Sequence, residues 1–191
     1  MIGMEIGGTK AVQERLKTIK ISEMNGALPV FCWDTHLTKI QGRNVLFIVN
    51  ASSRYTIAMT NIKPGDWKHY TIYISRAIHD AMQEMGDSEE QIEQYFKMSG
   101  DIAVTKTHGR KSVGGINRMV ADAQYFGKNL EKDAKYQREL SEYLNKLVCQ
   151  PEGFDTYGYP SELFESDMER SGIVLERKQA KVIDFYQYMK K

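Results

Sequence analysis

Apolar positions in the first half of the chain follow the patterns of β-strands. Residues 45–49 are continuously apolar and rich in β-branched side chains, as expected of a strand that is covered on both faces. Further extended candidates are residues 30–33, 35–40 and 55–59. Polar and small residues at 41–44 and 50–53 predict short turns, and strands joined by such turns pair antiparallel. The pattern therefore predicts an antiparallel meander.

In the middle of the chain the apolar residues recur at every third or fourth position, which is typical of helices. Pro64 suits the first turn of one helix that Gly86 would end, and Ser88 with Gln91 forms a capping box for the next. Residues 102–105 indicate one more strand. Further helices are predicted at 10–17, 112–127, 130–148 and 161–168.

Together these elements predict an α+β fold, in which helices pack mainly on one face of an antiparallel sheet of three or four strands. We assign residues 1–165 to a single α+β domain. Residues 166–191 are predicted to be a C-terminal extension. Positions 181–191 are too rich in large apolar and aromatic side chains for a solvated end, so we expect the extension to dock on the domain or on a partner.

Composition narrows the class of protein. The chain has 191 residues, of which 41% are apolar and 27% charged, so it resembles ordinary globular domains and not a disordered chain. A formal net charge of +1 excludes a globally basic nucleic-acid binder of the histone type, but it permits a local basic patch.

Two features favour a cytoplasmic location. Cys32 and Cys149 lie far apart in sequence, whereas a secreted domain of this size usually carries more cysteines in pairs. The first residues lack the basic and apolar regions of a signal peptide, and the longest apolar run is far too short to span a membrane. We expect no membrane association, and the oligomeric state stays open.

Two short motifs suggest phosphate chemistry but lack its context. Gly7-Gly8-Thr9-Lys10 is similar to the phosphate-contacting turn of sugar kinases with an actin-like fold, yet the second phosphate loop and the catalytic aspartate of those enzymes are missing. A turn that caps a first helix is the preferred interpretation. Gly109-Arg110-Lys111-Ser112 has Arg110 where a P-loop requires glycine, so it is not a P-loop.

The most informative segment is nevertheless the basic stretch around that second motif. It combines positive charge, hydroxyl groups and exposed glycine backbone at the predicted start of a helix, where unpaired N–H groups attract anions. We predict a ligand-binding site made of Lys106, Thr107, His108, Arg110, Lys111, Ser112, Asn117 and Arg118. The alternative is a solvated turn whose cations pair with Asp101, Asp122 or Glu89-Glu90.

No motif identifies a catalytic residue, a metal site or a cofactor. The four histidines show neither HxxxH nor HxH spacing, and a zinc site assembled by the fold from distant residues is only a minor alternative. We therefore expect no cofactor, and an enzyme is less expected than a binding protein.

The order of several loose motifs resembles an uncharacterised family of small bacterial and phage or plasmid proteins that carry a domain of unknown function. The motifs are Trp33-Asp34-Thr35-His36, Asn50 with Ser53-Arg54-Tyr55, Lys63 with Asp66-Trp67, residues 105–113 with Asn117, and Tyr159-Pro160. Thr35-His36 departs from the family pattern, which has a small residue and an amide after the tryptophan. The resemblance covers about residues 1–165 and implies a bacterial or mobile-element origin, but no reaction.

The sequence thus predicts a small intracellular protein that recognises an anionic ligand, a nucleic-acid or nucleotide phosphate, through a basic loop and a helix N-terminus. Two alternatives remain. One is a protein-interaction module, such as a phage-encoded inhibitor that binds a host protein of a defence complex. The other is a metal-independent nuclease or phosphoesterase that uses His108 with Lys106 and Arg110.

Overall fold

A computed structural model describes residues 3–173, so the predicted docking of residues 181–191 lies outside the described residues. Its centre is a sheet of five strands in the order β4-β3-β2-β1-β5. The strands are β1 (Met4–Gly8), β2 (Cys32–Ile40), β3 (Arg43–Asn50), β4 (Thr56–Met59) and β5 (Ile102–Lys106).

The sheet is mixed, so the prediction of a purely antiparallel sheet was wrong. β2, β3 and β4 pair antiparallel in succession, whereas β1 pairs parallel with both β2 and β5. The sequence pattern missed β1 because Gly7 and Gly8 have low strand propensity and indicate a turn. The five residues of β1 are all buried between two neighbouring strands, and this burial outweighs the local preference.

Helices cover both faces of the sheet. They are α1 (Lys10–Gln13), α2 (Pro64–Lys68), α3 (Tyr70–Met85), α4 (Glu89–Ser99), α5 (Arg110–Ala123), α6 (Arg138–Asn145) and α7 (Pro160–Arg170). A short 3₁₀-helix, Pro29–Phe31, leads into β2.

The two faces are separated by the alternation of side chains along β3. Leu46 and Ile48 join a core with residues of α3, α4 and α7, while Val45, Phe47 and Val49 join a second core with residues of α5 and α6. Helices were expected mainly on one face of the sheet, but α5 and α6 form a second helical layer on the other face.

Local sequence signals predicted several element ends well. Helix α3 ends at Gly86, whose φ of 93° is left-handed. The side-chain oxygen of Ser88 accepts a hydrogen bond from the Gln91 backbone N–H, and the Gln91 side chain accepts one from the Ser88 backbone N–H, so the predicted capping box is present.

Two predicted helices are shorter than expected. Helix α1 ends at Gln13, and the helix expected over 130–148 is confined to Arg138–Asn145. Residues 128–137 instead run along the sheet edge, where the Thr60 N–H donates to the Lys135 carbonyl and the Gln137 N–H donates to the Ala58 carbonyl. Near residues 135–137, pairing with the backbone at the edge of β4 replaces helical hydrogen bonds.

The end of the described range belongs to the core. Met168 on α7 and Ile173 just beyond it are buried in the first core, past the predicted boundary at residue 165. Between residues 3 and 173 there is no helix of the length and apolar character that crossing a bilayer requires.

Candidate functional site

The predicted basic segment lies where β5 leads into α5. Lys106 is the last residue of β5, residues 107–109 form a connection, and Arg110 begins the helix. Two sets of its side chains can be distinguished, and Ser112 belongs to both. One set turns inward to buried carboxylates, and the other lines an open cleft beside α5.

His108 is the centre of the inward set. Its Nδ1 lies 2.8 Å from Asp34 Oδ1, and its Nε2 lies 3.1 Å from Glu5 Oε2. The backbone N–H of His108 also donates to the Asp34 carboxylate at 3.2 Å, and the Ser112 hydroxyl donates to Asp34 Oδ2. Only 11% of the His108 side chain is exposed. The imidazole therefore faces the protein interior, whereas the sequence predicted a residue that contacts a ligand in an open loop.

The strands bring this cluster together. β1 and β2 place Glu5 opposite Cys32 and Gly7 opposite Asp34, so these residues share one face of the sheet. Gly7 is required there, since a Cβ at this position would lie 2.1 Å from Asp34 Oδ1. Gly7 and Gly8 therefore end a strand that admits a carboxylate, while Thr9 and Lys10 lead into α1.

Glu5 is held in place from the other side. Its Oε1 accepts hydrogen bonds from the backbone N–H groups of Asn25 at 2.7 Å and Ala27 at 3.3 Å. Oε2 is thereby directed at His108, and the Cys32 thiol lies in the same group, with its Sγ 3.5 Å from the Leu28 carbonyl oxygen.

The electrostatics of the cluster favour an imidazolium. Burial disfavours the charged ring, but hydrogen bonds to Asp34 and Cys32 and the negative charge of Asp34 outweigh it and raise the pKa of His108 to about 10. A positive ring between two buried carboxylates is a paired arrangement that a buried site tolerates. It also leaves both ring nitrogens occupied.

A second chemical property of the cluster concerns metals. One ligand atom each from Glu5, Cys32 and His108 lie within 4.8 Å of one another. Carboxylate oxygen, thiolate sulfur and imidazole nitrogen are all zinc ligands. Sequence spacing gave no signal for this set, because its members come from three distant segments.

The outward set lines a cleft of about 590 Å³ between α5 and the segment that follows α6. Three cations, Arg54, Lys111 and Arg118, line it together with Ser112 and the glycine pair Gly114-Gly115. The Arg54 side chain crosses close to Gly115, where an added Cβ would lie 3.3 Å from Arg54 Cδ. The glycine thus makes room for the arginine.

Acidic residues also line the cleft. Asp122, Glu152 and Asp155 lie on its walls. Within residues 3–173, however, Arg54, Lys111 and Arg118 take part in no salt bridge, and the same holds for Lys106 and Arg110. The pairing that the solvated-turn alternative required, with Asp101, Asp122 or Glu89-Glu90, is not seen in this range.

The predicted site residues are therefore only partly brought together. Lys111, Ser112 and Arg118 reach the cleft, and His108 lies behind it. Lys106, Arg110 and Asn117 are exposed and Thr107 is half-buried, and none of these four lines the cleft. Arg54 was missed because it follows a turn and lies far from the basic segment in sequence.

Comparison with known proteins identifies the family of the chain. A family model described as "Domain of unknown function (DUF6933)" matches residues 5–163, a range that contains the buried cluster and the three cations of the cleft. No curated protein and no solved structure shows significant similarity to the chain. The resemblance to an uncharacterised family is confirmed, while the bacterial or mobile-element origin stays a prediction.

Proposed function

The chain belongs to the DUF6933 family, and we propose that it is a small intracellular bacterial or phage protein that binds the phosphate of a nucleic acid or nucleotide in the cleft beside α5. The observation that carries this proposal is the convergence of Arg54, Lys111 and Arg118 on one concave surface without a salt-bridge partner among residues 3–173. Asp122, Glu152 and Asp155 on the cleft walls offset part of this positive charge, but they form no salt bridge with the three cations in this range, so the cations can pair with a phosphate.

The backbone at Arg54 supports the same proposal. Its φ is 62°, in the left-handed region that non-glycine residues rarely adopt. Such a conformation costs on the order of 1 kcal/mol and, besides occurring in turns, clusters at active sites and ligand clamps. Here it directs a guanidinium group across Gly115 into the cleft.

The size and lining of the cleft agree with a phosphate-bearing ligand. A volume of about 590 Å³ lies within the usual range for small-ligand sites, about 300–1,000 Å³. Arginine provides two parallel N–H donors for phosphate oxygens, and lysine provides a point charge. Ser112 and the backbone at Gly114-Gly115 add hydrogen-bonding groups on the same wall.

Binding should be measured by fluorescence anisotropy with labelled single-stranded RNA and DNA, and with a fluorescent mononucleotide. If three cations contact phosphates, affinity for a single strand should fall roughly 20-fold between 50 and 200 mM salt. The variant Lys111→Gln/Arg118→Gln should weaken binding at least tenfold and reduce the salt slope by roughly 1.4.

The chain offers a matched control. Lys106→Gln/Arg110→Gln removes the same charge from the same segment, but from side chains that do not line the cleft. Equal losses in both double variants would mean that the field of the segment, not the cleft, attracts the ligand. Absence of binding to RNA, DNA and nucleotide would overturn the proposal and make the protein-interaction alternative the leading one.

The hydrolase alternative gains no support from His108. Both ring nitrogens contact buried carboxylates, at 2.8 Å and 3.1 Å, and a general acid or base must reach its substrate. Turnover of a nucleic acid that is lost in Lys111→Gln/Arg118→Gln would revive that alternative with different residues.

A further inference from the structure

We propose that Glu5, Cys32 and His108 form a binding site for one zinc-type divalent metal ion, and that Asp34 orients the histidine ligand. Each residue offers one ligand atom, and for Glu5 and His108 we assign Oε2 and Nε2, which face one another at 3.1 Å. This site lies behind the anion-binding cleft, with Ser112 in contact with both, and does not depend on the function proposed there.

The distances suit a small ion. Tetrahedral zinc has bonds of about 2.0–2.3 Å, so its ligand atoms lie about 3.3–3.8 Å from one another. The three donor atoms lie within 4.8 Å of one another, and His108 Nε2 is already 3.1 Å from Glu5 Oε2. The ligand atoms therefore need to approach one another by about 1 Å at most to reach zinc-ligand spacing.

The surroundings resemble those of known zinc ligands in one decisive respect. A zinc-bound histidine almost always donates its second ring N–H to a carboxylate or carbonyl, which fixes the tautomer. Asp34 Oδ1 lies 2.8 Å from His108 Nδ1 and so leaves Nε2 for the metal. Asp34 is itself held by the His108 N–H and the Ser112 hydroxyl.

Glu5 is also held in position to bind a metal ion. Two backbone N–H groups bind its Oε1, so Oε2, which faces His108 Nε2 at 3.1 Å, can coordinate a metal that replaces the proton between them. The Cys32 thiol donates to two carbonyl oxygens, at 3.5 Å and 3.6 Å. A thiol is a weak donor, so the loss of these hydrogen bonds when metal binding removes the thiol proton costs little.

The chemistry of the donors selects the metal. A thiolate beside an imidazole favours zinc or cobalt over magnesium or calcium, which prefer oxygen ligands alone. Three protein ligands leave a fourth position of a tetrahedral ion for a non-protein ligand. The metal replaces the proton that otherwise joins His108 to Glu5.

The test uses the full chain, purified without a histidine tag and treated with chelator. Titration with Co²⁺ should give one equivalent bound and a near-ultraviolet thiolate-to-cobalt charge-transfer band. Zn²⁺ should displace the cobalt and raise the melting temperature, and elemental analysis should find one zinc per chain.

Each of the two cysteines has a role in the test. Cys32→Ser should abolish the charge-transfer band and weaken metal binding at least tenfold, whereas Cys149→Ser, at the other buried cysteine, should leave both unchanged. Wild-type protein that binds no stoichiometric cobalt or zinc would overturn the proposal even if Cys32→Ser fails to fold. Metal binding that persists in a folded Cys32→Ser protein would also overturn it.

Failure of this proposal is distinguishable from failure of the phosphate proposal. The cobalt titration contains no nucleotide or nucleic acid, and the anisotropy measurement can be made on chelator-treated protein. If no metal binds, the cluster is an ion pair that only stabilises the connection between β5 and α5.

Discussion

Replacing Gly7 with alanine tests how the buried cluster is built. The added Cβ would lie 2.1 Å from Asp34 Oδ1, 2.8 Å from the Lys106 carbonyl oxygen and 2.9 Å from Thr107 Cα. The last two atoms belong to the backbone and cannot rotate away. Asp34 can move only by giving up its hydrogen bonds to His108 and Ser112.

Both ways of accommodating the methyl group are costly. Overpacking a closely packed site costs about 1–3 kcal/mol, and separating a buried charge from its partner costs about 3–5 kcal/mol. We therefore expect Gly7→Ala to lower the free energy of unfolding by about 3 kcal/mol. For a chain of this length the melting temperature should fall by about 6–12 °C.

Gly8→Ala is the matched control, because Gly8 lies in the same strand and undergoes the same loss of backbone freedom. Its added Cβ would meet only side-chain atoms, the nearest being Val12 Cγ1 at 3.3 Å, and these can shift. We expect its free energy of unfolding to change by less than about 1 kcal/mol.

Guanidinium denaturation followed by tryptophan fluorescence suits this comparison, since Trp33 is fully buried. A Gly7→Ala protein no less stable than Gly8→Ala would show that Asp34 does not need the space above Gly7, and the proposed construction of the cluster would be wrong.

Three further changes probe other contacts. Asn145→Ala should cost about 2–4 kcal/mol in urea denaturation, because the Asn145 amide pairs with both the N–H and the carbonyl of Thr56 at 2.8 Å and each buried group would lose its partner; a cost below 1 kcal/mol would contradict this. Burial opposes ionisation of Asp66, but hydrogen bonds from the Lys63 backbone N–H and the Lys135 side chain lower its pKa. The contribution of Asp66 to the free energy of unfolding is therefore present above the ordinary carboxyl pKa and is lost as the pH falls below it. Asp66→Asn should therefore lose less stability than the wild type between pH 5 and pH 3 in thermal melts, and parallel curves would refute the assignment. Arg54→Gly should keep or raise the melting temperature, because glycine accepts a φ of 62°, while phosphate binding weakens; a large loss of stability would mean that Arg54 is structural.

The sequence alone determined those parts of the fold that depend on neighbouring residues. The apolar run at 45–49 lies in β3, and Ser88 with Gln91 caps α4 as predicted. The single helix predicted after Pro64 is helical but divided at His69 into α2 and α3. Each signal acts within a few positions of the chain, through side-chain periodicity or a local hydrogen bond, so no knowledge of distant partners is needed. The positive charges at the start of α5 were also evident from sequence.

Tertiary structure decided the parallel pairing of β1 and therefore the buried cluster. Parallel strands are joined by long connections. No local pattern therefore shows that Glu5 lies opposite Cys32, or that the His108 side chain lies close to both of them. The same reason explains Arg54, which enters the cleft from a turn far from α5 in sequence, and the segment 128–137, which pairs with a strand edge in place of a helix. Burial and long-range pairing outweigh local propensity at these positions, so they became visible only when the chain was folded.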